Sequence, residues 1–279
     1  MKLQKNWFQR ARIEAIETLS FWKGMINSRD IMQRFGVSRV IANRDLNHYL
    51  GIAPGNLVYS PSKKVYEATS IFNPVLDKTG IEEYLQLEGS SGGAIDQGLI
   101  EKIKMPDSVL KPEYIRVVLE AIELQNGLRL KYRSLNHPNG QDRLLYPHSV
   151  VFSGFRWHIR AWCATHNSFR DFNLSRISSV PGLTGDWVEE ATSDNDKDWN
   201  KRITVKLSTN PKLSRLEKSL IEAEFGIVRK YLEIETRAAL IPYVLQAYQV
   251  DWEEENRNPR KNRLVIANRS MLAPYLWGN

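Results

Sequence analysis

With 279 residues, 32.3 kDa, 42% hydrophobic and 25% charged positions and a mean hydropathy of -0.43, the chain is long enough for two or three compact units, and no apolar run approaches bilayer-spanning length. Its single cysteine, Cys163, excludes an internal disulfide and any multi-cysteine zinc site, which fits a reducing compartment. The formal net charge of +7 is local: positions 1–66 hold eleven Lys or Arg against four Asp or Glu, and the rest of the chain is balanced at 28 of each sign. A module for a polyanion joined to neutral partners has this asymmetry.

The first nineteen residues mix charges into helical periodicity and lack the continuous apolar stretch of a secretion signal, so a cytoplasmic location is expected. A first helix is predicted from Trp7 to about Trp22, with Phe8, Ala11, Ile16 and Leu19 among its apolar positions. A second short helix is expected to be capped by Ser28 and to stop at Gly36. Ser38 then caps a third, on which Ala42, Leu46 and Tyr49 fall on one side and Val40, Asn43, Arg44 and Asn47 on the other. Two strand patterns follow, "NLVY" and "KVYEA", joined by a turn carrying Lys63 and Lys64. Helix, helix, sharp turn, helix and hairpin is the order of a winged helix-turn-helix. Its third helix suits a DNA major groove, with Ser38, Arg39, Asn43, Arg44 and Asn47 offering polar contacts, Val40 meeting a thymine methyl, and Lys63 and Lys64 reaching phosphates. Short three-helix bundles with polar outer faces also serve as protein-interaction modules, and the sequence leaves that open.

Helices are then predicted over "PVLDKTGIEEYLQL" and "KPEYIRVVLEAIELQ", separated by the Gly/Ser-rich "EGSSGGAIDQG". From Gly127 the period becomes strand-like. "LRLKYRS" alternates Leu128, Leu130, Tyr132 and Ser134 with Arg129, Lys131 and Arg133, and Asn139-Gly140 marks a hairpin. "RLLYPHSVVFS", "FRWHIRAWCAT" and "FRDFNLSRIS" continue as strands of a small, strongly bent sheet or barrel.

The strand "LRLKYRS", the segment "YPHSVVF", the tripeptide Trp157-His158-Ile159 and "FRDFNLSRI" together resemble a WYL domain, named for a Trp-Tyr-Leu tripeptide and built as an Sm-like or SH3-like barrel. The resemblance covers about residues 127–186 directly. The order of winged helix, WYL domain and C-terminal extension is similar to that of the WYL repressors of bacterial anti-phage defence loci, the BREX-linked and CBASS-linked regulators. It implies a homodimer on an inverted-repeat operator in double-stranded DNA near its own defence genes, with the barrel sensing a nucleotide or oligonucleotide effector. Tyr132, Ser134, His148, Arg160, Arg170, Phe172 and Arg176 are the candidate effector contacts, because guanidinium groups pair with phosphate and aromatic rings stack on bases. On the residues alone, Tyr132 and Phe172 can equally be core, and the arginines can pair with Asp142 and Asp171.

No HExxH or Cys-His spacing accompanies the five histidines, and GxSxG, GxxxxGK[ST] and GxGxxG are absent, so no cofactor, metal or catalytic residue is expected. "RITVKLST", "SRLEKSLIEAEF", "YLEIETRA" and "LIPYVLQAYQV" read as strand, helix, strand and helix of a small α/β domain. The sequence thus predicts an α+β chain with a winged helix-turn-helix at 1–70, a helical linker at 71–126, a WYL domain at 127–190 and a C-terminal dimerisation domain at 191–279. The expected function is a ligand-responsive dimeric transcriptional repressor with no membrane partner. A nucleic-acid-processing enzyme targeted by a winged helix is the alternative, and an adaptor for a protein partner is a third.

Overall fold

A computed structural model describes residues 7–76, 79–89, 110–252 and 258–276, and the chain divides into two compact units, Met1–Lys104 and Met105–Asn279. In the first unit α1 (Trp7–Lys23) is followed by β1 (Met25–Ile26), α2 (Ser28–Phe35), α3 (Arg39–Ile52), β2 (Leu57–Ser60), β3 (Val65–Ala68) and α4 (Ile81–Gly89). The three strands form one antiparallel sheet in the order β1-β3-β2. With only two residues, β1 carries no periodicity that a sequence reading can detect.

The cap of α2 is Asn27 rather than Ser28. Its side-chain oxygen accepts from the amides of Arg29 and Asp30 at 2.8 and 3.2 Å, and the Asp30 carboxylate accepts from the Asn27 amide at 2.8 Å. This reciprocal box satisfies three of the donors that open the helix. Gly36 ends α2 at φ 60°, a left-handed conformation that costs glycine nothing, and Ser38 caps α3 by accepting from the amide of Ile41. Ile13, Ile16 and Leu19 of α1 close a core with Ile31, Leu46 and Tyr49.

The helix expected from Pro74 begins only at Ile81. The amides of Val75 and Leu76 donate instead to the fully buried Glu17 carboxylate, at 2.9 and 2.8 Å, which holds this stretch out of a helix. The predicted Gly/Ser-rich interval lies, from residue 90, outside the described residues. The two helices foreseen as a linker belong to different cores: α4 packs on α1 in the first unit, and α5 (Pro112–Glu123) packs through Val118 and Ala121 on the sheet of the second.

That sheet comprises β4 (Leu128–Tyr132), β5 (Gln141–Phe152), β6 (Trp157–Cys163), β7 (Ser168–Asn173) and β8 (Ile177–Leu183), antiparallel in the order β7-β6-β5-β4-β8. Leu128, Leu130 and Tyr132 point inward and Arg129 and Lys131 outward, as the alternation predicts. Pro147 pairs with Ala161 and Ser149 with Arg160, so His148 is the extra residue of a bulge. The single strand expected over "FRDFNLSRIS" is broken by a 3-10 turn at Leu174–Arg176, capped by the Asn173 side chain accepting from the Ser175 amide at 3.0 Å. That turn joins the two edges of the sheet. Five flat strands would place their edges roughly 19 Å apart, yet Asn173 and Ile177 are separated by a short turn spanning about 8 Å, so the sheet curls strongly. No ladder joins β7 to β8 among the described residues.

The C-terminal part continues through α6 (Lys197–Asn200), β9 (Arg202–Thr209), α7 (Arg215–Glu224), β10 (Leu232–Arg237), α8 (Ile241–Ala247), β11 (Leu264–Ile266) and α9 (Arg269–Leu272). Its sheet is antiparallel in the order β10-β9-β11. Ile203, Val205 and Leu207 alternate into a core completed by Leu213, Ile221, Ile241 and Leu245. Ser214 and Glu217 form the capping box that starts α7.

Candidate nucleic-acid interface and anion cavity

Helix α3 sorts its residues by side. Ala42, Asp45, Leu46 and Tyr49 are buried, whereas Ser38, Arg39, Val40, Asn43, Arg44 and Asn47 are exposed, Val40 to 79%. The inner side is fixed by polar anchors. Asp45, fully buried, accepts from Arg12 Nε at 2.5 Å and from Gln9 Nε2 at 3.0 Å. The Tyr49 hydroxyl donates to Glu17 at 3.1 Å and accepts from Asn56 at 3.0 Å, and burial pushes its pKa well above the usual tyrosine value. These contacts lock the axial rotation of α3, so its outward residues stay outward. Arg44 is 61% exposed, with its Nε 3.7 Å from Asp45 Oδ1. A 14-residue helix is about 21 Å long and, with its side chains, matches the roughly 12 Å major groove.

Lys63 and Lys64 are exposed in the turn between β2 and β3, where Lys64 takes φ 54°. Lys63 meets Glu67 at 2.6 Å, a surface pair that contributes little and is readily exchanged for another anion. The basic excess of the first 66 residues is only partly available. Arg12 is spent on Asp45, Arg34 is held by Glu88 at 2.6 Å and by the Leu87 carbonyl, and both side chains are 8% exposed. Charge counting along the sequence does not separate these internal pairs from the outer face.

In the second unit a cavity of about 700 Å³ opens between the curled sheet and the C-terminal part. Tyr132, Arg160, Arg170 and Arg176 line it together, as do Arg156, His158 and Tyr243, which the sequence reading had not assigned to an effector. Arg160 is buried and its donors are committed: Nε and Nη2 to Asp196 at 2.7 and 3.0 Å, and Nη1 to Asp171 at 3.3 Å. Tyr243 donates to the other Asp171 oxygen at 2.9 Å, and its ring packs against His158 at 4.9 Å. Arg156, Arg170 and Arg176 are the guanidinium groups that face the cavity beyond this internal network. They make their part of the wall basic, while Asp171 and Asp198 also line the cavity.

The other candidates lie elsewhere. Phe172 is in the core, its ring edge against Tyr132 at 5.2 Å. His148, at the bulge, places Nδ1 2.9 Å from Ser149 Oγ and Nε2 3.2 Å from Asp196, with Phe169 and Trp199 packed around the ring. Ser134 lines a separate depression of about 300 Å³ with Arg133, Leu135 and Ser175; Arg176 borders both. Asp142 is exposed on β5, paired in register with Lys131, and takes no part in the arginine network.

Asp196 is the hub of that network. Burial alone would raise its carboxyl, but hydrogen bonds from His148 and Arg160, the Arg160 charge and the Trp199 amide lower it to about 2. Burial lowers the His158 pKa, as do Arg156 and Arg176, against the opposing pull of Asp171. Burial, Asp171 and the hydrogen bond to it push Tyr243 upward. Near neutral pH the cavity wall therefore combines a neutral imidazole and a neutral phenol with the guanidinium groups of Arg156, Arg160, Arg170 and Arg176 and the carboxyl groups of Asp171 and Asp198. No three His, Cys, Asp or Glu side chains converge to hold a metal ion among the described residues.

Comparison with known proteins finds three matching family models and several relatives. Residues 9–89 match the BrxR transcriptional regulator winged helix-turn-helix domain, residues 113–181 the WYL domain, and residues 202–272 the BrxR transcriptional regulator C-terminal dimerization domain. A DNA-binding transcriptional repressor, CapW, of Escherichia coli strain KTE188 is 31% identical over 280 residues, covering 97% of this chain and 93% of the relative. The repressor of that name from Pseudomonas aeruginosa is 31% identical over 276 residues, with 96% and 91% covered, and that from Stenotrophomonas maltophilia 28% over 280, with 97% and 93% covered.

Proposed function

The chain belongs to the WYL-domain transcriptional regulators of the BrxR and CapW type, and we propose that it is a dimeric DNA-binding repressor whose affinity for its operator is set by an anionic effector. The observation that carries the reading is the exposed row Arg39, Asn43, Arg44 and Asn47 on a helix anchored from behind by Asp45 and Tyr49. Guanidinium and amide groups on such a helix read base edges, Val40 adds an apolar contact, Ser38 sits at its start, and Lys63 and Lys64 reach the flanking phosphates. A twofold dimer then matches an inverted repeat.

The curl of the five-stranded sheet, and the turn that brings its edges close, support reading the WYL domain as an Sm- or SH3-like barrel. Arg170 and Arg176 of the cavity, with Arg156, are the groups we assign to effector phosphates, and Tyr132 to its floor. Arg160 acts there by holding Asp171 and Asp196 in place. A nucleotide or short oligonucleotide fits this chemistry, and it relieves repression only if it binds the DNA-incompetent state more tightly. We place the regulator in the cytoplasm, acting on its own defence locus and without catalysis.

An electrophoretic shift series tests the reading, with the full chain, DNA from upstream of its own gene and a scrambled duplex. Upstream DNA should be retarded preferentially, with affinity falling as salt rises, since phosphate contacts release counterions. Equal retardation of both duplexes, or binding indifferent to salt, would overturn it.

A further inference from the structure

A second cavity of the second unit, of about 680 Å³, borders the arginine-lined one, and Arg156, His158 and Tyr243 line both. Part of its lining is the turn between β5 and β6, where the exposed Phe155 ring carries the Arg156 guanidinium at 4.9 Å. The buried His158 and Tyr243 rings, 4.9 Å apart, line it as well. The end of α8 and the residues just after it contribute Gln246 and Gln249.

This lining differs in kind from that of its neighbour. Arg156 is its one charged residue among the described residues, whereas the neighbouring cavity adds Arg160, Arg170, Arg176, Asp171 and Asp198. It offers aromatic surface and two primary amides instead. The Gln246 and Gln249 side chains are exposed and make no hydrogen bond among the described residues. Gln249 also stands at φ 54°, a left-handed conformation that glycine adopts freely and an L side chain enters at a cost. A primary amide sets a donor beside an acceptor, the pattern that pairs with the edge of a nucleobase. A ring and a guanidinium supply faces on which the base plane stacks.

We propose that this second cavity is a nucleobase compartment: the effector lays its base against Phe155 and the amides of Gln246 and Gln249, with its phosphate across the border on Arg156, Arg170 and Arg176. The proposal rests on the anionic-effector reading above and names the part of the ligand that is not anionic. The two cavities divide the work by charge, since the amide-and-ring lining gives a phosphate no cation except Arg156 at the border. Tyr243, Gln246 and Gln249 lie outside residues 113–181, the WYL match, and inside residues 202–272, so a segment that matches a dimerization domain also selects the ligand. The effector is then a nucleotide unit, and a sugar phosphate without a base fills half of the site.

The test is titration calorimetry of the full chain with the 5′-monophosphates of adenosine, guanosine, cytidine and uridine, and with ribose 5-phosphate, the same anion without a base. At least one nucleotide should bind wild type about 10-fold or more tightly than ribose 5-phosphate, and the four should differ among themselves. Gln246→Ala combined with Gln249→Gly should abolish the differences among the four bases. Neither change endangers the fold, because Gln246 is exposed and glycine suits the φ of 54° at position 249. Nucleotides that bind no more tightly than ribose 5-phosphate, or a ranking of bases that survives in the double variant, would overturn the compartment and leave the anionic-effector reading standing. Absence of binding by every probe, ribose 5-phosphate included, would overturn both.

Discussion

Arg160 donates from Nε and Nη2 to the two carboxylate oxygens of Asp196, at 2.7 and 3.0 Å, across 36 residues of sequence. The pair joins the WYL sheet to the start of the C-terminal part, and Asp196 also caps α6 by accepting from the Trp199 amide at 3.1 Å. The same carboxylate that starts a helix therefore orients the floor of the cavity.

Removing it leaves a buried guanidinium short of its main partner. Asp196→Ala should destabilise the unit Met105–Asn279 by about 3 kcal/mol. Urea unfolding of the full chain, followed by tryptophan fluorescence, should show this unit's transition moving to lower denaturant and that of Met1–Lys104 staying in place. A shift below about 0.5 kcal/mol would contradict this role.

The mirror experiment addresses the first unit. Arg12→Ala strands the fully buried Asp45 and should cost about 3 kcal/mol in the transition of Met1–Lys104 alone. DNA affinity should fall as well, because the anchor that sets the rotation of α3 is lost. Wild-type affinity in a destabilised variant would separate the anchor from the orientation of the helix.

Acid should act through Asp196. Its folded pKa, about 2, lies below the ordinary aspartate value of 3.8, so the unfolded chain takes up the proton first. The corresponding stability, about 2 kcal/mol, is present above about pH 5 and is lost as pH falls toward 2. His158 works in the same direction nearer neutrality, because burial resists the proton that the unfolded chain accepts below about 6.5. Melting temperatures of wild type and Asp196→Ala from pH 7 to 3 check this. The variant's curve should be flatter below pH 5, and parallel curves would remove Asp196 as the cause.

The two basic surfaces should separate by mutation. Arg44→Ala should weaken operator binding by about 1–3 kcal/mol. Arg170→Ala and Arg176→Ala should leave basal operator binding intact and blunt its relief by a short oligonucleotide, read in the same shift assay. Equal loss of operator affinity in all three variants would refute the division of labour.

The sequence by itself determined the features that depend on neighbours along the chain. The Gly36 stop, the Ser38 cap and the spacing of Ala42, Leu46 and Tyr49 are local, so α3 and its two sides were legible, as were the alternation in β4 and the bounds of β9. The tertiary structure alone decided which charges are spent inside. Arg12 with Asp45, Arg160 with Asp196 and Tyr243 with Asp171 lie 33, 36 and 72 residues apart, and no periodicity announces a pair at such separation. It also placed Phe172 in the core, His148 on a bulge and Ser134 outside the cavity, while adding Arg156, His158 and Tyr243 to its wall. Local backbone preference acts over a few residues, whereas burial and charge pairing act between surfaces that meet only when the chain has folded, so the first is written in order along the sequence and the second is not.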